Sequence, residues 1–284
     1  MPSIAKVFFD TQICINAANG QIREADWNDV NLYIRQVGEY WTSPLTVGEI
    51  LLSIARGERD YFEAGRARLR SVYSADSKYF DFARYFVAKT LGLPDRRPAR
   101  LEDDLGFVIQ ICLLAESRDE LLEEGVPVPY LTRRVRIRLD RLLEEIDGIQ
   151  QSYVQRFTLL KGRGKINLTP EEWARPILTL YGIEKDRLAR ERFLGALNAA
   201  YQFETALFDL ARNANYDLRK NVSDLVDAQQ LCYLADPTVV FVTDDSDHKK
   251  RLRGSAQSGR ILSFRELLRR AHSQEPLIEQ RPLE

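Results

Sequence analysis

The chain has 284 residues, 44% of them hydrophobic and 29% charged, which suits a globular protein of one large or two modest domains. Its 41 basic and 42 acidic residues leave a net charge of −1, so bulk charge neither selects nor rejects a nucleic-acid partner and local clusters must decide. Three widely spaced cysteines, Cys14, Cys112 and Cys232, argue against a disulfide framework and for a reducing, cytoplasmic setting; the N-terminus lacks the apolar length of a signal peptide, and no stretch approaches the roughly 20 apolar residues of a membrane-spanning helix.

The first element is "IAKVFFD", a short apolar run ending in Asp10 that reads as a buried parallel strand with an acid at its carboxyl end. "YWTSPLTVGEILLSIARG" reads as a short extended segment and then a helix starting near Thr46, where Thr46 and Glu49 have the spacing of a capping box. From about Glu58 to Asn213 helical periodicity dominates. Between Val135 and Lys161 a seam of Leu139, Leu142, Ile146, Ile149, Tyr153, Phe157 and Leu160 predicts a long helix packed on the core, and a second long helix is expected over Asp186 to Asn213. Pro and Gly punctuate the pattern at 92–100, 123–130 and 161–170.

"NVSDLVDAQQLCYLADPTVVFVTDDSDH" then joins helix to strand, with Asp224 and Asp227 expected in the helix's first turn, where the backbone dipole favours acids. The strand Thr238 to Asp245 repeats the design of the first one. "RILSF" is a third strand candidate leading into the helix "RELLRRA", and the tail from Ser273 has no periodicity. The expected fold class is α/β, a mainly parallel central sheet with helices on both faces, interrupted by an α-helical insertion. Residues 1–90 and 185–272 make the core, 91–184 the insertion and 273–284 a loose tail.

Asp244, Asp245 and Asp247 crowd together where a strand must end, and like charges so close need a cation, water or a turn to relieve them. Each acid alone has a structural explanation as a cap or a solvated turn. Their combination is more specific, because acids ending two strands and opening two helices would face one edge of a parallel sheet, where open α/β sheets bind ligands. Hard oxygen donors of this kind suit Mg²⁺ or Mn²⁺.

Four fragments, "VFFDT" with Asp10, "LTVGEILL" with Glu49, "DAQQLCYLA" with Asp227 and "FVTDDSDH" with Thr243 and Asp245, follow in an order that resembles the PIN domain, a family of metal-dependent nucleases. The resemblance implies a three-layer α/β/α core in which Asp10, Glu49, Asp227 and Asp245 are the catalytic, metal-binding acids. It also suggests Asp224 and Asp247 as auxiliary acids and Thr243 as a supporting hydroxyl. It implies an endoribonuclease that leaves a 5′ phosphate and a 3′ hydroxyl, in a toxin or RNA-processing role, with RNA the expected substrate and DNA an admissible one. The long helical stretch between Glu49 and Asp227 departs from compact members and offers a surface for a protein partner; self-association is left open.

Lys249, Lys250, Arg251 and Arg253 follow the acids directly and suit phosphate contacts, although a solvated helix face explains them equally well. The arginines from Arg133 to Arg141 extend such a track or pair with acids. "KGRGK" is a basic turn, since Ile166 follows Lys165 where a phosphate loop needs Ser or Thr, and His248 and His272 show no zinc-ligand spacing. Trp27, Trp41 and Trp173 read as core or groove residues. Two rival expectations remain: a haloacid-dehalogenase-like phosphatase, which wants a second acid where Gln12 stands, and a noncatalytic interaction module.

Overall fold

The structure, a computed structural model, describes residues 4–56, 59–72, 78–93, 105–122, 129–164, 167–212, 216–252 and 254–278. The breaks expected at 94–100 and 123–128, Lys165 of the basic turn, and Arg253 lie outside them.

Five parallel strands form one sheet in the order β3-β2-β1-β4-β5: β1 (Ala5–Phe9), β2 (Gly38–Thr42), β3 (Lys78–Tyr79), β4 (Val239–Val242) and β5 (Ile261–Leu262). The central strand β1 pairs with β2 on one side and with β4 on the other, in a register that sets Phe8 beside Phe241 and Phe9 beside Val242. β4 is apolar throughout, and β1 is apolar apart from Lys6, which pairs with Asp236, because both faces of the sheet are covered, as parallel sheets require. Alternation sends Val7, Phe9, Val240 and Val242 into one core cluster and Phe8, Val239 and Phe241 into the other.

The protein is therefore a three-layer α/β/α fold. On the first face lie α1 (Thr11–Ala18), α2 (Glu24–Val37), α3 (Pro44–Arg56), α4 (Arg59–Val72), α6 (Leu105–Leu114), α7 (Arg118–Leu122) and α14 (Phe264–Ser273). On the second lie α5 (Ala83–Leu91), α9 (Pro170–Tyr181), α10 (Arg187–Ala196), α11 (Asn198–Ala211) and α12 (Val222–Gln230). The long helix α8 (Pro129–Gly162) belongs to both, with Leu139, Leu142 and Ile146 in the first cluster and Tyr153 in the second. The expected seam is thus core packing. Of the tryptophans, Trp173 is buried in the second cluster, while Trp27 stacks on Phe264 and Trp41 lies under Lys6.

Four local expectations are corrected. The helix expected near Thr46 starts at Pro44; Ser43 Oγ accepts from the Leu45 N–H at 3.2 Å, Thr46 Oγ1 has no hydrogen-bond partner, and Glu49 turns elsewhere, so the Thr46–Glu49 spacing is not a capping box. Asp227 lies beyond the first turn of α12, which holds only Asp224. The single helix expected over 186–213 is two, broken at Leu197. The side chain of Gln257 inserts at the break, accepting from the Ala199 N–H at 3.1 Å and donating to the carbonyls of Gly195 and Ala196 at 2.6 and 3.2 Å, so the freed end groups of both helices stay satisfied. Finally, the stretch expected to be helical contains β3, an edge strand of two residues.

Candidate metal centre

Because all five strands run the same way, their carboxyl ends share one edge of the sheet, and the turns leaving β1, β2 and β4 open there. A cleft of about 640 Å³ at this edge is lined by Asp10, Glu49, Asp224, Asp227, Asp244 and Asp245. Four separate elements supply them: the β1–α1 turn, α3, α12 and the β4 turn.

Asp10 ends β1 and caps α1. Its backbone N–H bonds the Val242 carbonyl at 2.9 Å, and its Oδ2 accepts from Thr243 Oγ1 at 2.8 Å. The same Thr243 hydroxyl accepts from the Asp245 N–H at 3.1 Å, so one wholly buried side chain ties the ends of β1 and β4 together. Glu49 projects from the second turn of α3 and its Oε2 accepts from Thr11 Oγ1 at 2.5 Å. Asp245 caps α13 (Ser246–Arg251), with Oδ1 accepting from the Asp247 N–H at 2.7 Å and Oδ2 standing 3.0 Å from His248 Nδ1.

The electrostatics of the cleft are those of anions short of countercharge. Burial pushes Glu49 up to about 7 and raises Asp10, and neighbouring acids add to both. Burial, then Asp10 and Glu49, hold Asp227 well above the ordinary carboxylate range. Asp245 goes the other way, down to about 2, because His248 and the Asp247 amide stabilise its anion. Crowded, buried carboxyls of this kind, with mainly oxygen donors, fit a divalent cation such as Mg²⁺ or Mn²⁺. Asp227, Asp245 and His248 each present an atom within 4.8 Å of the other two, a spacing a single ion spans.

The remaining expected residues fall around this cluster. Asp224 lines the cleft but accepts from the Tyr216 hydroxyl and has Arg251 at 3.8 Å. Asp247 stands outside the lining, paired with Lys250 at 3.1 Å and Arg251 at 3.7 Å. Lys249 pairs with Glu266, and Arg251, over the ring of Phe203, is only 14% exposed. Of the basic cluster, Lys249, Lys250 and Arg251 are thus already engaged with acids. Within the arginine run, Arg138 is buried and Arg134 lies over Phe107.

Three residues at the site were not among the expected ligands or phosphate contacts, although Asp244 belongs to the crowded acids at the strand end. Asp244 lines the cleft while its Oδ1 accepts from the Phe264 N–H at 2.9 Å, fastening α14 to the site. Arg68 of α4 lines the cleft wall with a buried Nε that has no hydrogen-bond partner. His248, set aside for lack of zinc spacing, is buried beside two of the acids. Its one sequence signal is a helical separation of three from Asp245.

No family model, curated protein or solved structure matches the chain. Among the described residues no helix is long and apolar enough to cross a membrane.

Proposed function

We propose that the cleft is the active site of a PIN-like, divalent-metal-dependent endoribonuclease. The observation that carries this is the convergence of Asp10, Glu49, Asp227 and Asp245, distant in sequence, on one cleft in which burial and neighbouring acids raise Asp10, Glu49 and Asp227. These four residues would hold Mg²⁺ or Mn²⁺, with Asp224 nearby. Held there, such a cation would supply a bound water of lowered pKa and positive charge beside the attacked phosphate and the leaving oxygen.

The protein's own part is positioning. Thr243 and the Gln12 amide fix the Asp10 carboxylate, Thr11 holds Glu49, and His248 holds Asp245, so few rotamers are lost when substrate arrives. Arg68, at the cleft wall, is placed to meet a phosphate oxygen, and guanidinium geometry suits that contact. Lys249 and Lys250 reach a phosphate only by leaving Glu266 and Asp247, a small loss for pairs this exposed. The products expected are a 5′ phosphate and a 3′ hydroxyl. Three free cysteines accord with a reducing, cytoplasmic compartment.

The test is incubation of the purified protein with labelled RNA and DNA of matched sequence in Mg²⁺, Mn²⁺ or chelator, beside Asp10→Asn and Asp227→Asn. Cleavage of RNA should require the cation and fall in both variants by on the order of a hundredfold or more. Equal cleavage by the wild type and both variants removes the proposal, and cleavage of DNA alone would reassign the substrate.

A further inference from the structure

The ring of His248 is wholly buried, 4.7 Å from the ring of Phe203 and 5.8 Å from that of Phe241, centroid to centroid. A histidine enclosed this way must place both nitrogens. Nδ1 lies 3.0 Å from Asp245 Oδ2. A carboxylate oxygen at that distance accepts from the ring, which puts the proton on Nδ1. Nε2 of the neutral ring then carries a lone pair.

Among the described residues nothing donates to that lone pair. Nε2 has no hydrogen-bond partner and faces Asp227 Oδ2 across 3.8 Å, beyond hydrogen-bond range. Buried polar atoms are seldom left so. Two atoms bound at about 2.1 Å to one ion stand roughly 3 to 4 Å apart, which is the separation found here. The chain Asp245, His248 Nδ1, His248 Nε2 also has the form of the carboxylate–histidine–metal relay, in which a carboxylate fixes the tautomer and turns the other nitrogen to the ion.

We propose that His248 is itself a metal ligand through Nε2, sharing the cation with Asp227, and that the centre therefore selects a first-row transition ion such as Mn²⁺ over Mg²⁺. Imidazole is a good donor to Mn²⁺ and its heavier neighbours, whereas Mg²⁺ strongly prefers oxygen and retains its waters. The inference rests on the cleft being a cation site, and goes beyond it in naming a nitrogen donor and the preference that follows. The competing arrangement is an imidazolium bridging Asp245 and Asp227, which would occupy the gap with a proton and add no ligand.

Full-length protein stripped of metal is titrated with MnCl₂ and with MgCl₂ by calorimetry, and the Mn²⁺-loaded protein is examined by pulsed electron paramagnetic resonance for coupling to imidazole nitrogen. Wild type should bind Mn²⁺ at least about tenfold more tightly than Mg²⁺ and show the nitrogen coupling. His248→Gln should lose the coupling and bring the two affinities close together. Mn²⁺ bound by wild type without nitrogen coupling overturns the inference and leaves the carboxylate centre standing. Failure of wild type to bind either ion overturns both. The wild-type spectrum decides the matter even if His248→Gln does not fold.

Discussion

Thr243 Oγ1 donates to Asp10 and accepts from the Asp245 amide from a fully buried position, so the spacing between two expected ligands depends on one oxygen. Thr243→Val keeps the shape and removes the oxygen, leaving two polar groups short of a partner at about 1 to 3 kcal/mol each. Metal-dependent cleavage should drop about 10- to 100-fold, as when groups orienting metal ligands are lost, while circular dichroism keeps its helical signal. An unchanged rate would make the hydroxyl mere packing. That Asp10, Glu49, Asp227, Asp245 and Thr243 would meet at one sheet edge was legible only from their combination, since each acid alone has a structural explanation as a cap or a turn, whereas acids ending two parallel strands must share an edge. His248 and Arg68 were not. Burial of His248 is made by Phe203 on α11, far along the chain, and Arg68 is one of several arginines on α4 with only tertiary packing to aim it at the cleft.

Between elements, the helices of the second face are joined by a buried polar knot. Glu204 of α11, 3% exposed, has Oε1 3.1 Å from Arg156 Nη1 of α8 and accepts from Trp173 Nε1 of α9 at 2.8 Å. Burial raises the Glu204 carboxyl and Arg156 opposes the rise. Glu204→Ala leaves the indole N–H without an acceptor and Arg156 with only the Trp173 carbonyl, a loss of about 3 kcal/mol once the vacated volume is included, since breaking one partner of a buried pair costs far more than the pair contributes. The thermal midpoint should fall by roughly 10 °C, and a shift below about 2 °C would show that the knot is incidental. The apolar period of α8 was readable because packing on a core imposes it. The break at Leu197 was not, being made by Gln257 from a distant loop, and β3 escaped because two residues at a sheet edge carry no period.

For the molecule as a whole, a net charge of −1 conceals a concentrated negative cleft, and the cleft sets how stability responds to pH. Glu49 titrates near 7 when folded against an ordinary 4.5, and Asp227 and Asp10 are also raised. Groups with raised folded values hold protons that the unfolded chain has released, so their stabilisation is complete below about 4.5 and is lost as pH climbs through about 7. Asp245, lowered to about 2, acts in the opposite sense, but its effect is complete before this window opens. In chelator the melting midpoint should therefore fall between pH 5 and 7.5, with Glu49 alone contributing up to about 3 kcal/mol. Mn²⁺ competes with those protons, so it should raise the midpoint more at pH 7.5 than at pH 5.5, and by more than a monovalent salt of equal ionic strength does. Glu49→Gln should flatten the metal-free slope and shrink the Mn²⁺ increment together. A metal-free midpoint that rises steadily across the same range would mean that the carboxyls are not crowded as the cleft places them, and the cation would then have no repulsion to relieve.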